Sequence, residues 1–169
     1  NSISCVLDTC ADTPTLTITQ GPTSQQLCQD NAISDVIYTI GGGATSASIT
    51  SGNLPVGVNA AVVGNKFIIS GTPTSSGTYN YTISTSGGCG TQTATNGSIV
   101  VTKTIPTFNS IGPICQGETI APLPLQSNNG INGTWSPVLN NLTTTEYIFT
   151  PNSGECASTA KLTIIVNSK

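Results

Sequence analysis

The chain has 169 residues, a formal net charge of -3 and only 7% charged side chains. No basic stripe is available to neutralise phosphates or anionic headgroups, which argues against nucleic acid as a partner, and no apolar run approaches the roughly 18 residues that span a bilayer, which argues against direct membrane insertion. Six cysteines with no histidine exclude Cys-His zinc sites, and the paired CxxC knuckles of an all-Cys site are absent. Disulfides in an oxidising compartment, extracellular, cell-surface or periplasmic, are the favoured reading, with reduced core cysteines of a cytosolic protein as the alternative. The chain begins with Asn1 rather than Met, as a mature product or an excerpt would.

Residues 1–13 read as an N-terminal segment or as the end of a preceding module. Short β-branched segments then follow at 16–19, 35–40, 47–50, 66–70, 78–84 and 98–102, separated by Gly, Pro, Asn and Ser. The run from Thr78 to Ser84 alternates with period two and puts Tyr79, Tyr81 and Ile83 on one face, as in a strand with one dry side. Lys103-Thr104-Ile105-Pro106 reads as a short joint, because Pro106 stiffens the chain and cannot extend a central strand. Beyond it, 133–136, 146–150 and 160–167 are further strand candidates. No stretch has helical periodicity. Evenly spaced short strands predict an all-β chain of two tandem immunoglobulin-like β-sandwich modules, 14–103 and a smaller one at 104–169. Trp135, the lone tryptophan, is expected as the aromatic plug of the smaller module, with a sugar-stacking role as the alternative.

The division into modules comes from an internal repeat. Cys28-Gln29-Asp30-Asn31-Ala32-Ile33 and Cys115-Gln116-Gly117-Glu118-Thr119-Ile120 both read C-Q-x-x-x-I, and each follows a Gly-Pro turn. Gly87-Gly88-Cys89 and Gly154-Glu155-Cys156 each precede a final β-branched strand. The repeat predicts disulfides Cys28–Cys89 and Cys115–Cys156, each tying the start of a module to the segment before its last strand and stabilising it by about 4 kcal/mol. Cys5 and Cys10 remain, either paired with each other or shared with a preceding module.

Leu54-Pro55, Gly57, the run Ile69-Ser70-Gly71-Thr72-Pro73 and Gly77-Thr78-Tyr79 resemble the putative-Ig, cadherin-like and PKD-like repeats of bacterial surface proteins. Residues 114–167 resemble a repeat common in giant secreted adhesins of Bacteroidota. The resemblance implies a non-enzymatic structural or adhesive repeat region of a large cell-surface adhesin of the gliding-motility type, exported by type IX secretion. Such a region acts as a stalk and in surface attachment, with neighbouring repeats of the same polypeptide as partners and surface polysaccharide or substratum as a further one. The alternative is a carbohydrate-binding or accessory module of a secreted glycan-degrading enzyme, whose sites are exposed rings such as Trp135, Tyr147 or Tyr38. A third is an assembly subunit that pairs edge strands.

Catalytic chemistry finds little footing. The absence of histidine removes the usual general base. The carboxylates Asp8, Asp12, Asp30, Asp35, Glu118, Glu146 and Glu155 show no spacing that pairs two of them for glycoside hydrolysis. Gly41-Gly42-Gly43 lacks the Lys-Ser/Thr of a phosphate loop. No cofactor is expected; calcium near Asp8 and Asp12 is the one metal weighed, and no D-x-D-x-D run supports it. The sequons at Asn80, Asn96, Asn132 and Asn141 arise readily by chance in a Thr/Ser-rich chain, and a Lys–Asn isopeptide staple is an unneeded second crosslink where disulfides are present.

Overall fold

A computed structural model describes residues 12–168. The described residues are strands and connections without a helix, and they divide into two compact units, one ending at Thr102 and one beginning at Lys103. The boundary falls at the start of the joint read from the sequence, one residue before the expected division between 103 and 104.

The first unit is a sandwich of two four-stranded sheets. One holds β1 (Thr15–Gln20), β3 (Val36–Gly41), β6 (Lys66–Gly71) and β5 (Val58–Val63) in the order β1-β3-β6-β5; the other holds β2 (Ser24–Cys28), β8 (Ala94–Thr102), β7 (Gly77–Ser86) and β4 (Ser46–Gly52) in the order β2-β8-β7-β4. All pairs are antiparallel except β2 with β8. This is the ABED and CFG arrangement of an immunoglobulin sandwich, with a short β2 added alongside the last strand.

Alternation fixes which side of each strand is dry. Val36, Tyr38 and Ile40 of β3 and Phe67 and Ile69 of β6 face Tyr81 and Ile83 of β7 and Ile99 and Val101 of β8 in one buried cluster. The expected dry face of β7 is present, with Tyr79 half-buried at its edge. Two glycines are demanded by this packing. Gly97 lies opposite Tyr81, and a Cβ there would overlap the Tyr81 ring; Gly52, at φ +74° beside the bulge of β4, would drive a Cβ into the Asn80 carbonyl.

The hydroxyls of Tyr38 and Tyr81 are buried in this core without a protein hydrogen-bond partner. Burial raises the pKa of both phenols, Tyr81 to about 12 with a further push from neighbouring Tyr38; at Tyr38 the nearby Thr95 hydroxyl offsets part of the rise, although it does not reach hydrogen-bond geometry. In the unfolded chain a tyrosine ionises near pH 10. Between about pH 10 and 12 the unfolded state therefore sheds a proton that folded Tyr81 retains, so stability falls as pH rises, by about 2–3 kcal/mol from Tyr81. Denaturant titrations of the first unit from pH 9 to 12 should show this slope, and Tyr81→Phe should flatten it. An unchanged slope in the variant would show that Tyr81 is not its source.

The second unit is built from β9 (Ile114–Cys115), β10 (Gly133–Ser136), β11 (Thr145–Pro151), β12 (Ala160–Ile164) and β13 (Val166–Asn167). Strands β10-β11-β12 form an antiparallel sheet, and β13, which continues β12, pairs in parallel with β9. The sheet thus repeats β4-β7-β8 of the first unit, with β9 in the place of β2. The opposite layer is reduced: residues 105–131 are largely irregular and contribute Phe108, and a loop of residues 137–144 replaces the hairpin of β5 and β6. Phe108, Trp135 and Phe149 pack edge to face, with ring centroids 4.6 to 5.2 Å apart, and Tyr147, Phe149 and Ile164 are fully buried.

Both units carry a tyrosine on the third strand of this sheet that ties down the preceding loop, a device of immunoglobulin-like sandwiches. The Tyr79 hydroxyl bonds Ser75 Oγ at 2.8 Å, and the Tyr147 hydroxyl donates to the Asn140 carbonyl at 3.1 Å while accepting from the Asn140 N–H at 2.8 Å.

Candidate functional site

The repeated C-Q-x-x sequence is a repeated turn. In the first unit Cys28 pairs with Thr102, the Gln29 N–H donates to the Thr102 carbonyl, and the Asn31 N–H closes the turn on the Cys28 carbonyl. In the second, Cys115 pairs with Asn167, the Gln116 N–H donates to the Asn167 carbonyl, and the Glu118 N–H closes the turn on the Cys115 carbonyl. The third residue is left-handed in both, Asp30 at φ 68° and Gly117 at φ 80°, as a type II turn requires. Cys28 and Cys115 are therefore equivalent in position. Cys89 and Cys156 are equivalent as well, each in the turn that precedes the last strand.

That placement overturns both disulfides expected from the repeat. Cys28 sits beside the end of β8, whereas Cys89 precedes its start, with Sγ 4.0 Å from the Asp12 carbonyl oxygen. The nine residues of β8 separate the two cysteines by roughly 25 Å at 3.3 Å per residue. A disulfide tolerates a Cα separation of about 7 Å at most. In the second unit the Cys156 carbonyl accepts from the Thr104 N–H, while Cys115 lies beside Asn167 at the far end of β13. The whole of β12 and β13 lies between them. Cys28, Cys89 and Cys156 are each disulfide-bonded, but not in those pairs, and Cys115 is an exposed free thiol. Cys5 and Cys10, like Asp8, lie outside the described residues.

The three rings weighed as sugar platforms fare differently. Tyr38 and Tyr147 are core residues at 2% and 0% exposure, so neither offers a face for stacking. Trp135 is half-buried: its ring packs on Phe108 and Phe149, and its indole N–H donates to the Pro124 carbonyl at 2.8 Å. It borders an open apolar groove of about 440 Å³ with Pro122, Leu123, Leu125, Pro137 and Val138. A second groove, of about 540 Å³, runs over the β2-β8-β7-β4 sheet and is polar, lined by Ser24, Asn80, Thr82, Asn96 and Ser98 among others. Four of these side chains engage one another, Ser24 with Ser98 at 2.7 Å and Thr82 with Asn96 at 2.8 Å.

Asp12, considered for calcium, is exposed, and among the described residues no group of three or more Cys, Asp and Glu converges as a metal site would require. Lys161 pairs with Glu146 across the surface at 2.8 Å, so the cation and the carboxylate neutralise each other.

No protein-family model matches the chain, and no curated protein matches it. Among solved structures it is similar to tandem Ig repeats of Dlar, with a TM-score of 0.42 and 13% identity, covering 94% of this chain and 100% of that one. It is also similar to a titin Ig tandem, with a TM-score of 0.41 and 11% identity over 94% of this chain and 97% of that one. A protocadherin gammaB7 cis-dimer structure gives a TM-score of 0.43 at 12% identity, over 94% of this chain and 51% of that one. The strand order of the first unit, its partial repetition in the second and the disulfide-bonded cysteines identify the chain as an all-β tandem of immunoglobulin-like β-sandwich units.

Proposed function

We propose that the chain is a non-enzymatic structural and adhesive repeat region of a large secreted cell-surface protein. The carrying observation is that the second unit repeats one sheet of the first, with the same turn and tyrosine anchor at the same places. Repetition of a scaffold without repetition of a polar site is what a spacer needs: each unit supplies length and a cooperative core, and ligand chemistry is carried elsewhere. Oxidised cysteines fit an extracellular location. The finer reading is a stalk of a gliding-motility adhesin exported by type IX secretion, attaching to polysaccharide or substratum; it is supported by the sequence resemblance at 54–79 and 114–167.

Pulling the chain between its ends is the direct test. With its disulfides reduced, a stalk should unfold in two separate events, with released lengths that match the two units, and should refold on relaxation. Specific binding to a surface polysaccharide that is lost in Trp135→Ala would replace this reading with a carbohydrate-binding one, for which Trp135 is the single ring left on the surface of the three weighed.

A further inference from the structure

Cys115 is exposed and reduced at a position whose counterpart in the first unit is oxidised. The equivalence of Cys115 and Cys28 rests on four matched features: parallel pairing with the end of the last strand, the Gln N–H bond to that strand, the closing turn and the left-handed third residue. Neither cysteine can reach the partner within its own unit, because the last strand stands between them. Yet Cys28 is bonded, and so are Cys89 and Cys156, the two representatives of the other position. The framework thus offers two kinds of cysteine at opposite ends of a unit, which do not bond each other within it.

We propose that Cys115 accepts a disulfide from another module of this kind, through the cysteine that precedes that module's last strand, the position held here by Cys89 and Cys156. The inference takes from the stalk reading only the existence of further modules. Chemically, two S–H bonds are lost and one Sγ–Sγ bond forms; the two electrons and two protons pass to a disulfide donor, an oxidised dithiol protein in the secretory compartment or glutathione disulfide in vitro. Access is open on the thiol side. Cys115 is exposed, and its backbone is held by the Glu118 carboxylate, which accepts from the Cys115 N–H at 2.9 Å. The thiol is therefore presented on a fixed turn.

The test is the full chain extended after Lys169 by a second copy of residues 103–169, oxidised in a glutathione buffer and mapped by non-reducing peptide mass spectrometry. The expected result is a bridge from Cys115 to the added copy's counterpart of Cys156, with alkylation of Cys115 falling from nearly complete in the unextended chain to a small minority. Changing that added cysteine to Ser should restore alkylation of Cys115. A Cys115 that stays alkylatable beside a folded added copy, or that bonds any other cysteine, overturns the inference. If the added copy does not fold, the unextended chain decides. A mapped Cys28–Cys89 or Cys115–Cys156 bridge overturns the inference, and a free Cys115 with Cys28 bonded elsewhere sustains it. Failure of this bridge leaves the stalk reading standing, and failure of the pulling test leaves the bridge standing.

Discussion

Replacing Phe149 by Ala should unfold the second unit, at a cost of about 3–5 kcal/mol. Phe149 is fully buried and touches both Phe108 and Trp135, at centroid distances of 4.7 and 5.2 Å. With Tyr147 and Ile164 it makes up most of that unit's core. A domain of this size rarely holds more than about 3–5 kcal/mol of net stability from its core, so the truncation removes most or all of it. Trp135 is the only tryptophan and reports on this core alone. Its fluorescence in Phe149→Ala should shift to that of a solvated indole at low denaturant, while the first unit keeps its own transition. A Trp135 transition at the wild-type midpoint would mean that the aromatic trio is not the element holding the unit together.

The second expectation contrasts two cysteines that the sequence makes look alike. Cys28→Ser removes a disulfide and should cost about 2–4 kcal/mol, seen as an earlier thermal transition under oxidising conditions that merges with the wild-type curve once both are reduced. Cys115→Ser replaces an exposed free thiol and should fall within about 0.5 kcal/mol of the parent, as surface substitutions do. Equal losses at both positions would show that Cys115 is also bridged in the chain as it stands.

Much of the first unit is legible in the residues. The strands expected at 35–40, 66–70, 78–84 and 98–102 correspond to β3, β6, β7 and β8, because their period-two alternation is strong and their inward side chains are large. Three elements are missed. β5 (Val58–Val63) is an edge strand with five exposed residues of six, so no alternation marks it. β2 (Ser24–Cys28) and β9 (Ile114–Cys115) are short strands paired in parallel with the end of the last strand of their unit. The pairing of β2 joins residues 74 positions apart, Ser24 with Ser98, and local propensity has no access to such a partner.

The aromatic rings divide along the same line. Tyr81 follows from the alternation of its strand, but the burial of Tyr38 and Tyr147 and the half-exposure of Trp135 depend on what lies across the core. The polar groove is assembled from four strands of one sheet and leaves no contiguous trace in the chain.

The sequence by itself determined the all-β class, the dry faces of the central strands and the repeated turn, since each depends on residues within a few positions of one another. The tertiary structure alone decided the cysteine pairing. Loop-closure entropy and repeat symmetry both favour a bridge inside each unit, but a disulfide is a contact of a few ångströms, and the length of a strand intervenes. That Cys28 lies far from Cys89, and Cys115 far from Cys156, is set by the register of β2 against β8 and of β9 against β13, and that register exists only once the sheets are formed.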